Sequence, residues 1–236
     1  MSIPPLHLFP ALVQCRFKNV NLDRAARERQ QELPRLSSPV CLNPFLDPVV
    51  CEGWIKKLAL EHDCDFTYGG YLEDRRFLWA TSYLDSTKAF LHLGVDFNLP
   101  YGTEVAALFD GEVVRVDDDL DQEGGWGPRV IIRPDNSSGL SRPVCIFAHL
   151  TTPQVRVGDR IKAGSVIAAV GKAPLNGNWF PHLHVQTVEE KHFSSLLQDG
   201  LRSLDGYGSE NSRADLLTRF PNPLQFDWLV GSLFCS

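Results

Sequence analysis

Three short segments of this 236-residue sequence gather five side chains of types that hold a metal ion or move a proton at neutral pH. The first segment, LHLGVD over residues 91–96, sets His92 and Asp96 on either side of three residues that include Gly94. A neutral imidazole and a carboxylate are both good ligands for a borderline cation such as Zn²⁺, and a catalytic zinc takes three protein ligands with a fourth position open. The second segment, PHLHV over residues 181–185, alternates His182 and His184 with apolar Leu183 and Val185. Side chains two apart on a strand point to one face, roughly 7 Å apart, so both imidazoles can serve one site. The third, VCIFAHL, is a hydrophobic run of strand character that ends in His149 before the loop-like TTP. Five ligands or proton carriers exceed the needs of a single zinc, and the surplus points to catalysis.

HLGVD, FAHL and HLH, in that order, resemble the M23 family of zinc metallopeptidases of lysostaphin type, over residues 90–188. The resemblance implies a zinc metalloendopeptidase acting on a peptide or peptide-like substrate, with peptidoglycan-derived peptides among the candidates. It implies that His92, Asp96 and His184 bind Zn²⁺, and that His149 and His182 hold the water and the developing oxyanion, one of them as general base. Each role is chemically intelligible, because a metal lowers the pKa of water and polarises a carbonyl while a nearby imidazole moves protons at pH 7. The implied fold is mainly β, a compact antiparallel β-sandwich of the duplicated-hybrid-motif kind with the zinc in a groove on one sheet. Departures from the commonest pattern are Trp179, Phe180 and Pro181 before the last motif, Gln186 after it, and Phe147 where relatives often carry Tyr. They are expected to alter substrate choice without touching a ligand, Trp179 and Phe180 lining one wall of the groove.

Two alternatives come from other functional classes. One is a degenerate domain of this family that binds peptide or regulates a partner without cleaving; it would have lost a ligand, and none is lost here. The other is a metal-free histidine phosphotransfer or carrier module, suggested by the turn-rich GDRIKAGSVIAAVG over residues 158–171. A carrier needs a lysine on a hairpin tip, and a phosphoryl group would be repelled by Asp96.

The elements that must position these residues are partly readable. From Gly102 onward, short alternating strands separated by turn residues predict a sandwich or barrel. Within GTEVAALFDGEVVRV the Asp110-Gly111 pair predicts a tight hairpin. Residues 1–85 read as a partly helical extension, 86–190 as the peptidase-like domain, and 191–236 as an extension that packs back on it. In the first part, LDRAARERQQEL (22–33) predicts a polar helix ended by Pro34. EGWIKKLALEHD (52–63) predicts an amphipathic helix burying Trp54, Ile55, Leu58 and Ala59. The aromatic stretch 67–85 is expected to lie across the groove. Its Tyr83 has a phenol that could reach the oxyanion, as in related peptidases, although packing is its expected role. His192 falls beyond the last strand and outside the site.

Composition narrows the class. The content is 43% hydrophobic and 22% charged, ordinary for a globular protein, and a net charge of -6 without a basic run excludes nonspecific nucleic-acid binding. Six cysteines at positions 15, 41, 51, 64, 145 and 235 include no CxxC pair and read as reduced thiols. The first residues are broken by three prolines and do not resemble a signal peptide, and no apolar run reaches the roughly 18 residues of a transmembrane helix. A cytoplasmic protein without a transmembrane segment is the expectation; oligomeric state is not legible.

Overall fold

A computed structural model describes residues 8–12, 15–28, 43–119, 121, 124–135 and 142–225. Among these, twelve strands run in chain order: β1 (Phe17–Asn19), β2 (Phe66–Gly69), β3 (Leu91–His92), β4 (Val95–Asn98), β5 (Glu104–Ala106), β6 (Gly111–Asp119), β7 (Gly127–Pro134), β8 (Val144–Ala148), β9 (Arg160–Ile161), β10 (Val166–Ala169), β11 (Leu183–Val188) and β12 (Tyr207–Gly208). Five α-helices accompany them: α1 (Leu22–Glu28), α2 (Pro48–Glu61), α3 (Leu84–Thr87), α4 (Glu190–Gln198) and α5 (Arg213–Arg219). Eight strands form one sheet in the order β1-β2-β4-β11-β8-β7-β6-β9, while β5 pairs with β10 and β3 with β12. The large sheet is antiparallel except for the parallel pair β1 and β2, so residues well before the first motif extend it.

Strand alternation divides the core. Val95 and Phe97 of β4, Cys145 and Phe147 of β8, and Leu183 and Val185 of β11 pack on one face with Val105, Ile167 and Ala168 from the small β5/β10 sheet. Val144, Ile146 and Ala148 of β8 face the other way, against Phe193 and Leu196 of α4, Leu201, Leu204, Leu216 and Phe220. Burial on both faces explains why β8 reads as an unbroken apolar run. A third cluster joins α1 and α2 to Leu78, Trp79, Phe90 and Phe180.

The Asp110-Gly111 pair does not close a hairpin. β5 leaves to pair with β10, while β6 pairs with β7 and β9. Asp110 accepts hydrogen bonds from Lys162 Nζ and the Ala163 amide, 2.7 and 2.9 Å, tying the turn to a distant segment. α2 begins four residues before the predicted start, because Asp47 accepts the Val49 and Val50 amides and Pro48 opens the helix. α1 spans 22–28, with Asn21 Oδ1 accepting the Arg24 amide, and the remainder of the predicted 22–33 helix lies outside the described residues. The end of the apolar tail, residues 226–236, also lies outside them, as do Cys41 and Cys235; Cys15, Cys51, Cys64 and Cys145 are free thiols. No helix among the described residues is long and apolar enough to cross a membrane.

Candidate metal and active site

Neighbouring strands set Asp96 and His184 on one rung. Asp96 on β4 lies opposite His184 on β11, His184 lies opposite Ala148 on β8, and His149 follows directly. On the far side Gly69 of β2 opposes Asp96. Directly opposed residues point to one face, here the face away from Val95, Phe97, Leu183 and Val185. His92 arrives from β3, which is held by its pairing with Tyr207 of β12. Gly94 makes the close approach possible: a Cβ there would stand 2.4 Å from His184 Cε1 and 2.8 Å from the Val185 carbonyl oxygen.

As a result His92 Nε2, Asp96 Oδ1 and His184 Nδ1 are buried within 4.8 Å of one another. The separations are 3.1 Å between the two imidazole nitrogens, 2.9 Å from His184 Nδ1 to Asp96 Oδ1 and 3.4 Å from His92 Nε2 to the same oxygen. His182 Nε2 lies 3.8 Å from that oxygen, and the His149 ring is 4.5 Å, centroid to centroid, from His182. All five residues come together. His149 has φ 62, the left-handed region that non-glycine residues enter sparingly. Its amide donates to the Trp126 carbonyl at 3.0 Å and its own carbonyl accepts from Gly171 at 2.8 Å, which hold it there.

In every imidazole of the group the outward nitrogen is engaged by an acceptor. His92 Nδ1 faces the Gly70 carbonyl at 3.2 Å, His149 Nδ1 the Asn176 carbonyl at 2.9 Å, and His182 Nδ1 the Phe180 carbonyl at 2.8 Å. His184 Nε2 faces Gln186 Oε1 at 3.0 Å, and Gln186 in turn donates to the Asp205 carbonyl at 3.1 Å, which orients its amide. Carbonyl oxygens only accept, so the outward nitrogen carries the hydrogen and the inward one presents its lone pair. Gln186 therefore does touch one of the grouped residues, contrary to the expectation from sequence, and offers His184 a neutral amide oxygen.

Burial, reinforced by the Arg75 charge, pushes His92 down to about 3. Burial and the neighbouring imidazoles push His149 well below the usual range, and burial lowers His182. For Asp96 burial works against the charge, yet His92, Arg75 and His182 hold it well below the ordinary carboxylate value. A carboxylate among neutral imidazoles is the protonation state that metal binding requires.

Residues that sequence reading did not single out complete the site. Arg75 and Glu73, each almost without solvent contact, stand behind Asp96: Arg75 Nη1 donates to Asp96 Oδ2 at 2.5 Å, and its Nε lies 3.6 Å from Glu73 Oε2. Glu73 Oε1 accepts the Asp23 amide at 2.6 Å. One Asp96 oxygen is thus taken, and the other faces the histidines. Trp79, Tyr83, Trp126, Trp179, Asp205 and Tyr207 wall the groove above them. Tyr83 sits on the groove, 40% exposed, with its hydroxyl 3.4 Å from the Gly124 carbonyl. Trp179 forms a wall as expected, whereas Phe180 is buried and stacks on His182 at 4.5 Å. His192 lies on α4 against Phe220, outside the site. Arg75, Asp205 and Tyr207 belong to no local motif, and their roles arise from contacts between distant segments.

The arrangement defines a class: a buried His-Asp-His group able to hold a metal ion, in a groove on a β-sheet, attended by two further imidazoles. Residues 90–195 match the family described as Peptidase family M23, which makes this segment an M23 domain. It is 35% identical over 127 residues to the glycyl-glycine endopeptidase ALE-1 of Staphylococcus capitis, covering 51% of this chain and 32% of that protein. It is 33% identical over 123 residues to lysostaphin of Staphylococcus simulans, covering 50% of this chain and 22% of that one. Among solved structures, LytU aligns at 33% identity and a TM-score of 0.34, covering 50% of this chain and 80% of that one. The lysostaphin catalytic domain from Staphylococcus simulans aligns at 30% identity and a TM-score of 0.35, covering 42% and 68%. The chain spans about a third or less of the length of the curated relatives named here. The family implies a metal ion, and the donor set His92, Asp96 and His184 suits one.

Proposed function

We propose that this chain is a zinc-dependent endopeptidase, with His92, Asp96 and His184 as metal ligands and His149 and His182 as the groups that move protons. The observation that carries the reading is the common polarity of the four imidazoles, each tied outward to an acceptor and open inward. Zinc bonds of about 2.0–2.1 Å in a tetrahedron space ligand atoms by about 3.4 Å, and separations of 2.9 to 3.4 Å support that ion. Two imidazoles and one carboxylate also form a donor set that zinc enzymes use while keeping a position open.

When bound, the ion would lower the pKa of a water molecule and polarise the scissile carbonyl. His149 and His182 are neutral and present their Nε2 lone pairs to the groove, so either can accept a proton from the attacking water and return it to the leaving amine. Asp96 stays ionised throughout, its outer oxygen occupied by Arg75. The tryptophan walls narrow the groove and limit the access of bulk water. Relatives named as a glycyl-glycine endopeptidase and as DD-carboxypeptidase/endopeptidase Mpg make glycine-linked and peptidoglycan-derived peptides the first substrates to try.

The test incubates the protein, with and without a chelator, with glycine-linked peptides and cross-linked stem peptides. Cleavage that stops on chelation and returns with zinc is expected. His149→Ala and His182→Ala should each lower kcat by about 10²- to 10⁴-fold. Cleavage unaffected by chelation, or a zinc-loaded protein inert towards every peptide, would overturn the reading.

A further inference from the structure

Tyr207 lies beyond the family-matched residues 90–195. β12 brings it opposite His92, with its ring 5.1 Å from the imidazole, and the ring forms part of the groove wall. A phenol hydroxyl has one hydrogen to give and two lone pairs to fill. Trp79 Nε1 donates to it at 2.6 Å and Arg75 Nη1 at 3.4 Å. An indole N–H and a guanidinium can only donate, so both acceptor positions are filled and the hydroxyl is left as a donor. No acceptor among the described residues takes its hydrogen. Both neighbours are themselves fixed, Arg75 by Asp96 and Trp79 by edge packing on Trp179 at 5.0 Å.

We infer that the Tyr207 hydroxyl is a catalytic hydrogen-bond donor to the reacting oxygen, the scissile carbonyl oxygen as it gains negative charge. The inference rests on the hydrolase reading above. Burial pushes the phenol up to about 12, so it keeps its hydrogen at working pH. The Arg75 charge beside it polarises the O–H bond and strengthens the donor. Tyr83, which lines the same groove, differs in already facing an acceptor, the Gly124 carbonyl. A preorganised donor aimed at developing charge is the kind of group whose removal lowers turnover more than it weakens substrate binding.

The experiment compares wild type with Tyr207→Phe in the full zinc-loaded chain. Inorganic phosphate, a tetrahedral oxyanion, is titrated calorimetrically, and kcat and KM are measured on a peptide that wild type cleaves. Phosphate affinity should fall about 10- to 100-fold. Turnover should fall about 100-fold, with KM within about threefold and zinc affinity unchanged. Phosphate affinity and kcat within about threefold of wild type would overturn the inference, as would a loss explained by loss of zinc. Should Tyr207→Phe not fold, Trp79→Phe provides a second test, since it frees one lone pair and lets the hydroxyl turn away. A fall of about fivefold in phosphate affinity is then expected, and an unchanged affinity refutes the role. A wild type that binds zinc and phosphate yet cleaves no peptide would defeat the endopeptidase reading, while the phosphate comparison would still decide the role of Tyr207.

Discussion

Asp96 has two oxygens, and their neighbours differ: Oδ2 accepts from Arg75, while Oδ1 faces His92, His182 and His184. A buried guanidinium thereby decides which oxygen is open to a cation, and Glu73 balances the charge that Arg75 introduces. Arg75→Met leaves two buried carboxylates without their cation, so it should destabilise the protein by about 3–5 kcal/mol in urea unfolding. A loss below about 1 kcal/mol would mean that the cluster relaxes freely. Arg75→Lys should recover only part, because an ammonium cannot reproduce the planar fork. Gly94 works through space alone. Gly94→Ala drives a methyl into the His184 ring and the Val185 carbonyl. It should abolish tight zinc retention after dialysis; a variant holding zinc as wild type does would show that the strand moves aside.

The strands explain both what could be read in the sequence and what could not. The spacing of His182 and His184 is a strand repeat: β11 sets His184 opposite Asp96, and His182, just before the strand begins, has its Nε2 3.8 Å from the same carboxylate. The local pattern therefore carried the site. The tight hairpin predicted at Asp110-Gly111 failed because a two-residue turn signal says nothing about which partner a strand will choose, and β5 and β6 choose different sheets. Arg75 and Tyr207 could not be found in this way, since each meets the site only after β2, β3, β4 and β12 have paired. The division at residues 85 and 190 expected from sequence cuts across contacts that hold the site. A fragment of residues 86–190 lacks β2 beside Asp96, the Arg75 contact and the Tyr207 strand beside His92. It should bind zinc at least tenfold more weakly than the full chain by competition with a chelator; equal affinity would make the flanking segments dispensable.

At the scale of the molecule, three imidazoles among the described residues are buried with depressed proton affinity: His92, held at about 3, with His149 and His182 also lowered. Above the ordinary histidine value of 6.5 they are neutral in folded and unfolded chains alike. Below it the unfolded chain takes up protons that the folded one refuses, so the zinc-free protein loses stability as pH falls from 6.5 towards 3. The slope can reach about 1.4 kcal/mol per pH unit for each imidazole. Urea midpoints should be level between about pH 7 and 8 and fall clearly by about pH 5; equal stability at 5 and 7 would mean that these rings titrate in the folded state. The division of labour within the site is tested most directly by measuring bound zinc after exhaustive dialysis, side by side with peptide cleavage, in wild type, His184→Ala and His149→Ala. About one zinc per chain is expected in wild type, none in His184→Ala, and a full complement with little cleavage in His149→Ala. A wild type that retains no zinc, or a His149→Ala protein that loses it, would contradict the account.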